Sequence, residues 1–127
     1  YIPSDPYELS LTGAGFGAVD LSPIHGAAIM SALGNKGIMM KPSIIAKIES
    51  ANSDLLYQLI PEPVTQVVTP TTAQNLLNMM VSTTTIGTSR KAFKNYAKMG
   101  KLQSISVSAK TGTLRGESPL GINNWFV

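Results

Sequence analysis

The sequence has no cysteine and only one histidine, His25. Without thiols, the chain cannot form disulfides, thiolate nucleophiles or cysteine-based metal sites. The single histidine argues against a histidine-centred metal site and against a Ser-His-Asp triad. No apolar run approaches the roughly 18 residues that a membrane-spanning helix requires. Thiol chemistry is therefore excluded, and histidine-based catalysis is disfavoured.

The residues that are present suit one globular domain. The chain has 127 residues, of which 43% are hydrophobic and 13% charged, and this composition argues against long disordered regions. The length suffices for a single domain with a core, and the net charge of +3 is mildly basic. Because the chain starts at Tyr1 and stops inside a strand-like segment at 124–127, we expect it to be a piece of a longer protein.

Two cap signals predict helices. Ser22-Pro23 opens an apolar segment at 24–33, which predicts a helix buried on most sides. Thr69-Pro70 opens a second helix, whose apolar residues form one stripe. A third helix is predicted at about 89–98, with apolar and basic residues on opposite sides. Residues 1–12 are expected to be extended or irregular.

Strand signals complete an α+β pattern. Residues 44–48 and 55–59 predict a hairpin around a polar loop. Residues 103–110 alternate apolar and polar side chains, which predicts a half-buried strand. Because only a short connection leads from there to the final strand, the sequence predicts an antiparallel sheet flanked by helices.

The motif Lys110-Thr111-Gly112-Thr113 follows the alternating segment and carries the strongest chemical signal. A lysine ammonium beside a threonine hydroxyl suits recognition of a carboxylate. Gly112 has no side chain, so a substrate can lie close to the strand edge, where a free backbone N–H could stabilise a developing oxyanion. Taken alone, the four residues favour a plainer interpretation, a lysine on a solvated sheet face followed by a turn.

Other segments change that interpretation, because together they resemble one known family. Lys-Thr-Gly is one of three active-site signatures of serine β-lactamases and penicillin-binding proteins. The further matching segments, in chain order, are Gly15-Phe16-Gly17, Leu21-Ser22-Pro23-Ile24-His25, Asn35-Lys36-Gly37 through Pro42, Met80-Val81, Gly87-Thr88, Ala92-Phe93 and Trp125-Phe126-Val127. Several weak signals in the expected order are more specific than any one of them. Over most of its length, the chain resembles the C-terminal part of a penicillin-binding protein transpeptidase domain.

The resemblance implies a fold and roles for the motif. The fold would be the α+β fold of serine β-lactamases and transpeptidases, here without the N-terminal part of the domain. Lys110 would bind the substrate carboxylate and tune proton transfer, and the Thr113 N–H would form one arm of the oxyanion hole. The Thr111 and Thr113 hydroxyls would hold the carboxylate, and Gly112 would leave room for the acyl chain.

The resemblance also implies a parent protein and its partners. The parent would be a serine D,D-transpeptidase on the extracytoplasmic face of the bacterial inner membrane, in contact with the membrane only through a part outside this sequence. It would cross-link peptidoglycan stem peptides ending in D-Ala-D-Ala through an acyl-enzyme, and β-lactams would acylate the same serine. Neither a cofactor, nor a metal, nor nucleic acid is implied.

Two of the family's three signatures are missing from this sequence. The family's nucleophile lies in Ser-x-x-Lys, which does not occur here, and the nearest match, at 88–91, begins with threonine. Ser-x-Asn is matched by Ser50-Ala51-Asn52, but this tripeptide lies in the predicted hairpin loop, where we interpret it as a turn. We therefore expect residues 1–127 to be the C-terminal portion of a single transpeptidase domain and inert alone, or else a degenerate relative.

Other functions fit parts of the sequence. A serine β-lactamase or a β-lactam sensor shares the fold and Lys-Thr-Gly. Between Glu62 and Glu117 there are seven basic residues and no acidic residue, which suits a non-catalytic basic interaction module. The loose G-x-G-x-x-A at 13–18 lacks the strand and the acid that a dinucleotide site needs. We expect His25 to be a packing or capping residue of a buried helix.

Overall fold

The structure, a computed structural model, combines short helices with antiparallel strand pairs and describes residues 2–16, 20–98, 100, 104–117 and 120–127. The helices are α1 (Pro6–Gly13), α2 (Pro23–Gly34), α3 (Pro70–Met80) and α4 (Ser82–Thr85), with a 3₁₀ turn at Tyr96–Lys98. The strands are β1 (Ile38–Met40), β2 (Lys47–Glu49), β3 (Leu55–Gln58), β4 (Pro63–Gln66), β5 (Thr111–Glu117) and β6 (Leu120–Phe126). They pair as β1 with β4, β2 with β3 and β5 with β6, always antiparallel. The predicted α+β class is confirmed.

Helices α1, α2 and α3 begin with the same local device. The side chains of Asp5, Ser22 and Thr69 each accept the backbone N–H three residues ahead, and a proline follows each cap. The helices predicted from Ser22 and Thr69 are therefore confirmed. The expectation of an extended start is wrong from residue 6 onward, because Asp5-Pro6 is the same helix signal.

Helix α2 is less covered than its apolar sequence predicts. Only Gly26 and Ala32 are buried in this helix, and Ile24 is 72% exposed. The expectation of burial on most sides is wrong in the described part of the chain, because only β1, α3 and the β6 end pack against the helix there. His25 is accordingly exposed, and its backbone N–H donates to the capping Ser22 hydroxyl.

Helix α3 matches its predicted stripe. Ala73 is fully buried, the remaining apolar stripe is half-buried, and Gln74, Asn75 and Asn78 lie on the exposed side. The half-buried members of the stripe are Leu76, Leu77, Met80 and Val81. The stripe thus turns α3 towards α2 and α4.

The predicted outer hairpin is present with shorter strands, β2 and β3. In its loop, the Ser50 hydroxyl accepts the backbone N–H groups of Asn52 at 3.2 Å and Asp54 at 3.1 Å. Ser53 takes a φ of 66° to close the turn. The interpretation of Ser50-Ala51-Asn52 as a turn is therefore confirmed. Ser50 lies in the loop between β2 and β3, and not on the strand pair β5–β6 that carries the Lys-Thr-Gly motif.

The alternating segment before the Lys-Thr-Gly motif is not a strand, contrary to prediction. Residue 103 lies outside the described residues, and 105–110 form no regular element. Ser108 Oγ donates to Leu77 O at 2.8 Å, and Ala109 N donates to Met80 O at 3.2 Å. These carbonyls lie in the last turn of α3, where Leu77 O also accepts the Val81 N–H at 3.1 Å. The bond to Met80 O takes the Ala109 N–H that a strand ladder would otherwise use. The strand begins only at Thr111.

The predicted third helix is also wrong. Residues 89–95 form successive turns that lead into the 3₁₀ turn, and several bonds span three residues, such as Ala92 N to Ser89 O at 3.0 Å. This tighter winding accompanies the packing of Phe93, whose ring stacks on Phe126 with centroids 5.7 Å apart. The segment is thereby anchored to β6 by an aromatic contact.

Candidate active site at the open edge of strand β5

The motif residues lie where β5 begins, and only one edge of β5 is paired in the described part of the chain. Lys110 and Val127 exchange two backbone hydrogen bonds, of 2.8 and 3.2 Å. Hydrogen-bonded and non-hydrogen-bonded residue pairs alternate along an antiparallel ladder. The backbone of Gly112 therefore again hydrogen-bonds to β6, whereas Thr111 and Thr113 occupy positions without hydrogen bonds to β6. The backbone N–H and C=O groups of both threonines therefore point to the open edge.

Lys110 places a positive charge at this same edge. The side chain is exposed, and Nζ donates to Thr111 O at 2.6 Å. This bond uses one of the three ammonium hydrogens, so two remain for an incoming acceptor. The positive charge of Lys110 therefore lies in solvent, beside backbone groups that can themselves bind a ligand.

Gly112 leaves space that the fold itself does not need. A Cβ built on this residue would meet Trp125 Cβ at 3.5 Å, which is an ordinary van der Waals contact. Packing within the described structure would therefore tolerate a side chain here. Because Gly112 has no side chain, the backbone of β5 is uncovered between the two threonines.

Each threonine hydroxyl has a polar partner on the face that Thr111 and Thr113 share. Thr111 Oγ1 lies 3.0 Å from Thr88 Oγ1, and Thr113 Oγ1 donates to Asn124 Oδ1 at 3.2 Å. Gly87-Thr88 is one of the segments that carried the family resemblance, but nothing in the sequence places it against the motif. Asn124 has no sequence signal, because its role depends on the strand register.

The strand pair β5–β6 is supported on both faces. On one face, α2 comes so close that a Cβ on Gly26 would lie 3.3 Å from Trp125 Cζ3. On the other, Phe93 stacks on Phe126. An open, mostly apolar cleft of about 580 Å³ remains between α2 and the end of β6. The motif therefore belongs to a strand pair that packs against α2 on one face and Phe93 on the other, with an apolar cleft on the α2 side.

The basic residues between Glu62 and Glu117 have no acidic partners within the described structure. The described ion pairs are Lys41–Glu62 and Lys47–Glu49, each at 2.9 Å. The first lies beside the β1–β4 strand pair, and the second lies within β2. No basic residue described between Glu62 and Glu117 pairs with an acid of the described structure, and Lys101 lies outside it. The predicted basic character is therefore real, and the exposed Lys94 and Lys98 fit the solvated face expected of them.

Two alternative sites gain no support. Gly13 and Gly15 lie at the C-terminal end of α1, where Phe16 N donates to Leu11 O at 2.8 Å. A dinucleotide site needs such glycines at the start of a helix, and the last positions of that pattern, 17 and 18, lie outside the described residues.

Among the residues that are described, no three His, Asp or Glu side chains are grouped as metal ligands would be. In the same residues, no helix has the length and hydropathy to cross a membrane.

Comparison with known proteins gives consistent matches along the chain. The family model of the penicillin binding protein transpeptidase domain matches residues 2–127. The chain is 25% identical over 109 residues to peptidoglycan D,D-transpeptidase PbpA of Mycolicibacterium smegmatis. These residues cover 86% of this chain and 20% of that protein.

Solved structures show the same similarity of fold. Penicillin-binding protein A from M. tuberculosis, in its imipenem acyl-enzyme complex, matches with a TM-score of 0.76 and 22% identity over 97% of this chain and 26% of that one. The D,D-transpeptidase domain of a peptidoglycan glycosyltransferase from Eggerthella lenta matches with a TM-score of 0.71 and 24% identity over 96% of this chain and 30% of that one. The chain thus spans less than a third of the length of each of these proteins.

Proposed function

Because the chain belongs to the penicillin-binding protein transpeptidase domain family, we propose that residues 1–127 are the C-terminal portion of the catalytic domain of a serine D,D-transpeptidase. The observation that carries the proposal is the open edge of β5, where Lys110 Nζ and the backbone groups of two motif threonines converge. Since Ser-x-x-Lys does not occur in the sequence, the nucleophilic serine belongs to a part of the domain outside these residues. The chain alone would then be inert.

The edge would bind a carboxylate-terminated substrate. Two hydrogens of the Lys110 ammonium remain available beside Thr111 O, and a charged donor binds a carboxylate more strongly than a neutral one does. The Thr111 hydroxyl would supply a further donor. The missing side chain of Gly112, which packing does not require, would let the acyl chain lie along the strand.

The same edge would stabilise the transition state. The serine would attack the carbonyl carbon of the penultimate D-Ala, and the negative charge would develop on the carbonyl oxygen. The Thr113 N–H, which points away from β6, would donate to that oxygen, with a second donor from the serine's own backbone. The terminal D-Ala leaves with a proton, and an amine of a second stem peptide then displaces the serine from the ester.

The partners follow from this chemistry. The substrate would be a peptidoglycan stem peptide ending in D-Ala-D-Ala, and β-lactams would acylate the same serine because they present a strained amide and a carboxylate. One structural relative, penicillin-binding protein A from M. tuberculosis, forms acyl-enzyme complexes with imipenem and penicillin G. A peptidoglycan substrate implies a location at the extracytoplasmic face of the inner membrane.

A donor–acceptor assay tests the proposal in the complete protein. We expect a peptide ending in D-Ala-D-Ala, mixed with an amine acceptor, to release D-Ala and form the cross-linked product. The same protein should hydrolyse nitrocefin slowly, since a transpeptidase keeps the acyl group from water until the acceptor arrives. Rapid nitrocefin turnover without D-Ala release would favour the β-lactamase interpretation, and no reaction with either compound would indicate a degenerate relative.

A further inference from the structure

A second threonine lies beside the motif, although the roles above make no use of it. Thr88 Oγ1 is 3.0 Å from Thr111 Oγ1, and the two residues are 23 positions apart in the chain. We propose that Thr88 is a positioning residue whose hydroxyl donates to Thr111 Oγ1 and thereby directs the Thr111 hydrogen to the substrate carboxylate. This inference rests on the proposed function, because it assigns Thr88 a purpose only if Thr111 binds that carboxylate.

The direction of the hydroxyl pair follows from the number of hydrogens. Each hydroxyl has one hydrogen, and an ionised carboxylate can only accept. If Thr111 donated to Thr88, it would have no hydrogen left for a carboxylate. With a carboxylate present, both bonds form only when Thr88 donates to Thr111 and Thr111 donates onward. Such a chain also strengthens its second bond, because each donor is polarised by the one behind it.

Of the two motif threonines, Thr111 is the one that needs this arrangement. The Thr113 hydroxyl already donates to Asn124 Oδ1 at 3.2 Å, so its hydrogen is committed within the fold. The Thr111 hydroxyl has Thr88 as its partner and can be released for a ligand once Thr88 takes the donor role. The two hydroxyls therefore have different partners within the fold, although they share one face of β5.

The backbone holds Thr88 from both sides. Gly87 N donates to Ser82 O at 2.7 Å, and Ser89 N donates to Thr83 O at 3.0 Å. A Cβ on Gly87 would lie 2.9 Å from Ser82 O, so the close approach to α4 depends on glycine at that position. Thr88 is thus fixed relative to α4 by the bonds of its two neighbours.

The same frame holds the approach to Thr111. The hydroxyl of Thr84, which is buried in α4, lies 2.8 Å from Val107 O, and Ser108 Oγ donates to Leu77 O at 2.8 Å. Ala109 N adds a bond to Met80 O at 3.2 Å. Both members of the hydroxyl pair are therefore tied to the α3–α4 unit, which can keep them at bonding distance while a substrate enters.

The test compares two forms of one drug in the complete protein. The second-order rate constant for acylation is measured with benzylpenicillin and with its methyl ester, which lacks the negative carboxylate. We expect Thr88→Val to lower the benzylpenicillin rate about five- to tenfold and the ester rate less than twofold, as loss of one oriented hydrogen bond implies. Thr88→Ser, which keeps the hydroxyl, should return the benzylpenicillin rate to within about twofold of the original.

A matched control distinguishes positioning from folding. Thr85 is exposed in the same segment, and its hydroxyl donates to Val81 O at 3.0 Å, away from the motif. Thr85→Val should leave both rates unchanged. An equal fall for drug and ester in Thr88→Val, or no fall at all, would overturn the inference while leaving the proposed function intact. Failure of the unaltered protein to be acylated would overturn both.

Discussion

At the residue scale, the Lys110 side chain and the Thr113 backbone N–H lie at the same open edge of β5. The ammonium lies at the open side of β5 because Nζ bonds to Thr111 O. The register of the ladder turns the Thr113 N–H to that side as well. Under the proposed function, the Lys110 ammonium would bind the carboxylate and the neutral Thr113 N–H would donate to the oxyanion.

This arrangement separates Lys110 from the other basic residues. Lys110→Ala should lower the rate of acylation of the complete protein by benzylpenicillin about 10- to 100-fold, because a charge-assisted contact to the carboxylate is lost. The double change Lys94→Glu and Lys98→Glu should leave that rate within about twofold, since these lysines lie outside the edge. Stopped-flow measurement with a fluorescent penicillin checks both values.

The opposite pattern would support the basic interaction module. In that case, the charge reversals would abolish binding to an anionic partner, and Lys110→Ala would change neither binding nor acylation. Because Lys110 is exposed and pairs with no acid of the described structure, its replacement should not shift the melting temperature. An unchanged melting curve thus confirms that any rate loss is local.

The sequence could identify the motif but not its partners. Lys110-Thr111-Gly112-Thr113 is recognisable because its four residue types are consecutive in the chain. The partners Thr88 and Asn124 are 23 and 11 positions from the threonines that they contact. Such contacts depend on strand register and on the turn after α4, which no local pattern specifies.

At the scale of elements, the junction between α2 and β1 depends on one glycine. Gly37 has a φ of +82°, and its N–H donates to Ala32 O at 2.8 Å, which closes the helix. A Cβ at this position would collide with the Val68 carbonyl oxygen. The junction therefore sets the direction in which β1 leaves α2, the helix that packs on Trp125.

Gly37→Ala should destabilise the domain by about 2 to 4 kcal/mol, because it adds both a backbone clash and an unfavourable φ. Gly34→Ala is the matched control, since it lies three residues earlier and a Cβ there meets nothing within 4 Å. That change should be neutral or add up to about 1 kcal/mol of stability. Thermal unfolding of the complete protein measures both, and equal melting temperatures would contradict the role of Gly37.

Elements with strong end signals were predictable, and elements formed by tertiary contacts were not. The Ser22 and Thr69 caps predicted α2 and α3, and the Asp5-Pro6 signal of α1 was equally readable. The alternation at 103–110 favoured a strand, but Ser108 Oγ and Ala109 N donate instead to carbonyls in the last turn of α3. Phe93 likewise packs on Phe126 from a series of turns, and a helical stripe in the sequence could not foresee that contact.

At the scale of the whole molecule, much of the apolar surface of the described residues is exposed. The fully buried apolar residues of the described structure are three alanines, Ala32, Ala73 and Ala109. Large side chains stand in solvent, with Ile60 82% and Leu120 81% exposed. A single domain of this length normally buries well over half of its unfolded surface. The exposure supports the proposal that more of a transpeptidase domain packs around these elements, including the part that carries the serine.

The most direct test is the intact mass of the complete protein after incubation with benzylpenicillin, with the 127-residue chain treated in parallel. The proposal predicts one stable adduct on the complete protein and none on the isolated chain, because the nucleophile lies outside residues 1–127 and the Lys-Thr-Gly edge only binds. Peptide mapping should place the adduct on a serine of Ser-x-x-Lys. An adduct on the isolated chain, or no adduct on the complete protein, would contradict the account.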